Sequence, residues 1–297
     1  AVALLAGCGG AESGDALEQG YAALRTGRGV EVLRFADRAV DVALADDPAK
    51  LKEAKLIIEH NATDHDTGFQ GAIDSEGWRK LDVTGPNGLV LSFEGKGALG
   101  TLGVTELFFE TVEPGNDQLS VPDMLAKLPA GNYVMKGQRM ENGRSEGEVN
   151  GAAVLTHTIP AGPELFAPAE HATINASDEV TMKWGAVTKT ITGEPVQIIA
   201  YQLIVEKDEA PHPRMIGKFA LNVRFPATVT SMELPDGFLQ ANTKYKWEVL
   251  AVEQGGNQTL SSSDFNTRSK RDPKATAKEK ADEHDEDEKA DEKPAGK

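Results

Sequence analysis

Leu239-Gln240-Ala241-Asn242-Thr243-Lys244-Tyr245 ends on a tyrosine that opens an alternating run. From Tyr245 to Val252 the apolar residues Tyr245, Trp247, Val249 and Ala251 fall on one side, the period of a half-buried strand. Downstream, Gly255-Gly256-Asn257 turns the chain into a last strand, Gln258 to Arg268. Upstream, Pro235-Asp236-Gly237 is a turn that closes a short strand from Val229 to Leu234. Before it, Met215 to Phe225 reads as a strand stopped by Pro226, which has no N–H to donate. Val196 to Val205 is a near-continuous apolar run, the pattern of a buried strand. Glu179 to Trp184 places Val180, Met182 and Trp184 on one face.

A leucine and a tyrosine at the spacing of Leu239 and Tyr245, just before a strand, resemble the tyrosine corner of β-sandwich domains. Trp184 on the second strand, Tyr201 on the third and the closing Phe265-Asn266-Thr267-Arg268 are similar to the fibronectin type III pattern. The resemblance covers roughly a third of the chain and implies an immunoglobulin-like sandwich over residues 161–268. It implies a core built on Trp184, Tyr201, Leu239, Tyr245 and Trp247. Another seven-strand sandwich is the alternative, and both give the same fold class.

Residues 51–160 carry a second set of strand signals. Lys80–Val83 and Leu89–Phe93 flank Gly85-Pro86-Asn87-Gly88, a hairpin pattern. Thr105–Thr111 reads as a strand, and Val121–Leu128 as one or two helical turns starting at Pro122. Pro129-Ala130-Gly131-Asn132-Tyr133 resembles the start of the penultimate strand in many bacterial immunoglobulin-like domains. Asn142-Gly143 signals another hairpin. The expected fold class is therefore all-β, with two consecutive immunoglobulin-like or fibronectin-like sandwiches.

The chain has 297 residues, a net charge of −16 and a single cysteine. So acidic a chain argues against nucleic acid as a partner, since phosphate binding requires a basic surface, and one cysteine excludes an internal disulfide framework. Residues 1–7 read as the remnant of a signal peptide. Leu5-Ala6-Gly7-Cys8 resembles the bacterial lipobox, which implies lipidation of Cys8, membrane anchoring and an extracytoplasmic location. An ordinary signal peptide with a chance cysteine is the alternative. Residues 8–50 hold an acidic tether and, around Val30–Ala45, a short helix. Residues 269–297 are Lys, Glu, Asp and Ala without core-forming side chains, a disordered tail by composition.

One stretch carries a chemical hypothesis. Asp64-His65-Asp66-Thr67-Gly68 sets two carboxylates around a tight turn, and with Asn61 they offer oxygens to Ca²⁺, with Asp74 or Glu76 as further candidates. The twelve-residue calcium-loop pattern is not met, because Gly68 stands at its third acidic position. The alternative is a polar loop whose Asp and Asn side chains cap their own turn. His60, His65 and Asp64 form an incidental zinc set at most. No nucleophile elbow, zinc-protease helix or phosphate loop is present, so no enzyme activity and no other cofactor is expected. Asn61, Asn175 and Asn257 head glycosylation sequons. In a bacterial lipoprotein these are expected to carry nothing.

The leading expectation is a lipid-anchored envelope or surface protein that binds or spaces, its partner an unidentified envelope protein or polysaccharide. The competing readings are a calcium-dependent carbohydrate-binding or adhesion module and an accessory subunit of a secreted hydrolase.

Overall fold

The computed structural model describes residues 30–35, 38–43 and 49–269. Cys8, its tether and the acidic tail beyond residue 269 lie outside the described residues. The chain is all-β, as its alternating patterns require. The segment expected as helix over Val30–Ala45 is instead an antiparallel hairpin. Strand β1 (Val30–Phe35) pairs with β2 (Arg38–Ala43) from Val30↔Ala43 to Phe35↔Arg38. Val-Glu-Val and Val-Asp-Val are two short alternating runs, and β-branched residues favour the pleated conformation over a helix.

The described chain divides into two compact units. Unit 1 takes the described residues up to Leu56 together with Gln70–Glu110 and Ala126–Leu155. Unit 2 takes Ile57–Phe69, Thr111–Leu125 and the described residues from Thr156 onward.

Unit 1 draws on strands β3 (Ala49–Lys50), β4 (Glu53–Asn61), β5 (Asp66–Gly85), β6 (Gly88–Glu94), β7 (Val104–Glu110), β8 (Gly131–Glu141) and β9 (Arg144–Leu155). A short helix, α1 (Gly97–Leu102), precedes β7. The end of β5 pairs with β8 on one edge and β6 on the other. The β5–β6 hairpin turns where the sequence places it, with Gly88 at φ 102°. In the β8–β9 turn Asn142 and Gly143 both take left-handed φ (49° and 76°), the requirement of a two-residue primed turn. Ile73, Trp78, Leu81, Val83, Tyr133 and Met135 are among the buried side chains. Gly85 is small because the ring of Tyr133 occupies the place a Cβ would take.

Unit 2 contains a two-sheet sandwich. One sheet is β10 (Leu165–Ala167), β12 (Thr181–Trp184) and β15 (Ser231–Glu233). The facing sheet runs β14 (Ala220–Pro226), β13 (Ile198–Lys207), β16 (Lys244–Glu253) and β17 (Gln258–Arg268). This three-plus-four division, with strands switching sheets between β12 and β13, is that of a fibronectin type III-like sandwich. Strand β11 (Ala172–Asn175) adds in parallel to the far half of β17. Residues Glu59–Asn61 of β4 add in parallel to its near half. The strand expected from Met215 begins only at Ala220. Gly217, at φ 79°, breaks the extended run and leaves Met215, Ile216 and Phe219 exposed. Helix α2 (Val121–Lys127) starts at Ser120, whose Oγ accepts the Asp123 N–H at 3.3 Å.

Candidate functional site

The Asn61–Gly68 stretch is the tip of the β4–β5 hairpin. Its local hydrogen bonds explain the turn. Asn61 Oδ1 accepts the N–H groups of Thr63 and Asp64, both at 3.0 Å, and Asn61 Nδ2 donates to Asp64 Oδ2 at 2.8 Å. His65 N–H closes the turn on the Asn61 carbonyl at 2.9 Å, with His65 itself at φ 58°. Asn61 therefore caps the turn's backbone and holds the Asp64 carboxylate in place, as short polar side chains do in turns. Asp66 is different: its Oδ1 is buried with no hydrogen-bond partner among the described residues. Burial, and then the Asp64 carboxylate, push the Asp66 pKa up. Of the further oxygen candidates, Asp74 stands opposite Glu106 in the β5–β7 register, and Glu76 holds Lys52 at 2.8 Å.

His60 is buried beside this loop, and its Nδ1 meets Thr67 Oγ1 at 2.9 Å. Thr67 Oγ1 donates in turn to Asn116 Oδ1 at 3.0 Å. This arrangement makes His60 the Nδ1–H tautomer, donating to Thr67. Burial lowers its pKa. His65 is exposed. The chain His60–Thr67–Asn116 holds residues 111–125 to the hairpin tip and is not a metal geometry.

The polar centre that sequence reasoning missed is Asn257. It is 1% exposed. Its Oδ1 accepts the Ile58 N–H at 2.9 Å, and its Nδ2 donates to Thr156 O (3.1 Å), Thr156 Oγ1 (2.9 Å) and Thr158 O (2.9 Å). Glu253, also buried, accepts the N–H groups of Gly255 (2.6 Å) and Asn257 (3.1 Å). The Gly255-Gly256-Asn257 turn is where the sequence places it, with Gly256 at φ 98°. The one available signal was Glu253 four residues before Asn257. The sequon at Asn257 is structurally closed, because its amide is buried and fully bonded.

The five core candidates sit together. Trp184, Tyr201, Tyr245 and Trp247 are at most 1% exposed, and Leu239 is 8% exposed. Trp184 packs edge-on against Tyr201 at 5.9 Å, and Tyr245 stacks on Phe265 at 5.4 Å. Gln240 N–H donates to Tyr245 Oη at 2.8 Å, which is the corner bond that the Leu239–Tyr245 spacing anticipates. Tyr201 Oη accepts the Val187 N–H at 2.7 Å, and burial raises the pKa of this phenol. Tyr133 makes a second corner in unit 1 with the opposite polarity, its hydroxyl donating to Pro129 O at 2.8 Å. The indole N–H groups of Trp184 and Trp247 are buried without a partner among the described residues, consistent with rings held by packing.

No known protein-family profile matches the sequence, and no curated protein matches it. Solved structures do resemble the fold. The fn3 domain of human collagen alpha-1(XX) chain is 16% identical, covering 39% of this chain and 88% of its own, with a TM-score of 0.27. Fibronectin(III)-like modules of Clostridium thermocellum CbhA are 11% identical, covering 72% of this chain and 94% of theirs, with a TM-score of 0.28. A structure from a 1.5-MDa bacterial ice-binding adhesin is 13% identical, covering 75% of this chain and 66% of its own, with a TM-score of 0.25.

Proposed function

We propose that the chain is a non-catalytic binding or spacer protein of the cell envelope, held to a membrane by a lipid on Cys8. The observation that carries the first half is how the buried polar side chains of unit 2 are used. Asn257, Glu253, Tyr201 and Tyr245 bond backbone, and His60 bonds Thr67. Groups committed to backbone fix a shape and are not presented to a reacting molecule. The lipid half rests on Leu5-Ala6-Gly7 standing before the only cysteine. The test takes the chain with a complete secretion signal and separates detergent-rich from aqueous phases. The wild type is expected in the detergent phase and Cys8→Ser in the aqueous phase, and unchanged partitioning of the variant would overturn the anchor. Saturable retention of one envelope component by the full chain supports the binding half.

A second reading, a calcium-dependent carbohydrate-binding or adhesion module, is favoured by one observation. Asp66 Oδ1 is buried without a partner among the described residues, beside the Asp64 carboxylate. Asn61 Oδ1 is already spent on two backbone N–H groups. A cation would therefore have to be held by Asp64, Asp66, backbone carbonyls and water, a donor set typical of weak extracellular sites.

A further inference from the structure

Three neighbouring strands of unit 1 bring two lysines to one spot. Lys136 of β8 stands directly opposite Asn150 of β9, and Asn150 stands directly opposite Lys50 of β3. Directly opposite residues project to the same face of a sheet, and neighbouring strands lie about 4.8 Å apart. The two lysine backbones are thus about 10 Å apart with one amide between them. Two four-carbon stems span that gap, so both ammonium groups reach a single anion lying over Asn150. Val134 and Ala152 lie two residues further along the same face. With Lys52 these residues line an open groove of about 540 Å³, and no Asp or Glu is among its lining residues.

In a chain with a net charge of −16, three lysines around one groove without a carboxylate are a local inversion of charge. Lys52 is held by Glu76 at 2.8 Å. Lys50 and Lys136 have no ion-pair partner among the described residues. Asp82, across from Lys136 on the side away from Asn150, is bound instead by Lys80 at 2.9 Å and Ser92 at 2.5 Å. Screening limits repulsion from the remote acidic surface to about 8 Å at physiological salt, so the contact charges decide what binds.

A second observation concerns the backbone beside the groove. Leu51 N–H donates to Asn150 O at 2.7 Å, so the backbone groups of Asn150 face the outer edge of β9. Those of Ala152 and Val154 face the same edge by the period of two. Strand β3 covers only Val149 and Asn150. Beyond it, Ala152 and Val154 have no backbone partner on that edge among the described residues. An unpaired edge is a template for one more strand.

The geometry points to the β9 edge as a docking site for an extended acidic segment of another protein. Its backbone pairs with Ala152 and Val154, and a carboxylate seats over Asn150 between Lys50 and Lys136. The lining contains no aromatic ring on which a sugar would stack, and Val134 and Ala152 suit the small apolar residues of a peptide. This deepens the binding reading and rests on it, because it names a surface and a partner chemistry.

The test uses the full chain and an acetylated, amidated peptide of eight residues alternating Glu and Thr. Calorimetry is expected to show saturable binding. Lys50→Gln and Lys136→Gln each weaken it about tenfold, the worth of one charge-assisted hydrogen bond. Lys136→Arg preserves it. Methylating the peptide's backbone nitrogens abolishes binding without touching the protein, which separates edge pairing from simple charge attraction. Equal affinity for the methylated peptide overturns the proposal, as does equal affinity for the Lys50→Gln/Lys136→Gln variant. Binding of a polyuronate but not of the peptide overturns it in favour of an acidic glycan. No binding of either up to millimolar concentration also overturns it. Any of these failures leaves the envelope-retention result standing, so the surface and the broader reading are judged separately.

Discussion

Replacing Asn257 by alanine is expected to destabilise unit 2 more than any other polar substitution in it. The amide is 1% exposed and makes four side-chain hydrogen bonds. Removing it orphans the N–H of Ile58, a residue that is itself fully buried. It also removes the donors to two carbonyls, Thr156 O and Thr158 O. A buried donor left unmade costs about 1–3 kcal/mol, and an underused carbonyl is at the low end of that range. The sum is about 3–5 kcal/mol, a large share of the ~5–15 kcal/mol that holds a domain together. Asn257→Asp keeps the acceptor for Ile58 but aims a carboxylate oxygen at both carbonyls. Burial and those carbonyls raise its folded pKa above the unfolded value. Its penalty is therefore fully present at neutral pH and shrinks as pH falls through the folded pKa, when the protonated acid donates again. The assay is urea unfolding of the full chain followed by tryptophan fluorescence at pH 7.5 and 5. Asn222→Ala is the control, an exposed asparagine of β14 expected to change stability by no more than about 0.5 kcal/mol. If Asn257→Ala costs less than about 1 kcal/mol, the amide is not the keystone that its bonds describe.

Three other outcomes are expected. Trp184→Ala should cost about 3–5 kcal/mol, while Tyr245→Phe, which strands only the Gln240 N–H, should cost about 1 kcal/mol; a Trp184→Ala chain that melts like wild type would make Trp184 a surface ligand residue. His60 is held neutral by burial, so its contribution is fully present above its unfolded pKa and declines as pH drops below that value towards the lowered folded one. In His60→Gln that part of the acid-side decline should vanish from a pH series of urea midpoints. Calcium, if held at Asp64 and Asp66, should give heat in the ~10⁻⁴–10⁻³ M range that Asp66→Asn abolishes; equal heat from that variant rules the site out.

How much was legible depends on whether a residue's role is local in sequence. Tyr245 was legible because its bond partner, the Gln240 N–H, lies five residues upstream in the same corner. Trp184 and Trp247 were legible because alternation alone assigns a face. The Asn61–Asp64 cap belongs with them, its bonds all closing within four residues. The segment Val30–Ala45 was misread because a short run with several apolar residues satisfies a helical template as well as a strand one. There the deciding factor was a pair of β-branched valines two positions apart in each strand, Val30 and Val32, then Val40 and Val42.

Asn257 and the groove were illegible for the opposite reason. Asn257 meets Ile58 across 199 residues and Thr158 across 99, and no periodicity marks such a partner. Lys50 and Lys136 are 86 positions apart (136 − 50) and meet only because Asn150 lies in register with both. Register is fixed by which faces are buried, and a slip of one residue would turn Lys136 and Asn150 inward. The buried neighbours Met135 and Val149 hold that register. The chemistry of the β9 edge is thus set by apolar residues that touch no ligand. Met135→Lys is therefore expected to disturb peptide binding through strand register even though Lys136 itself is unchanged, which a circular-dichroism check on folding distinguishes from loss of the unit altogether.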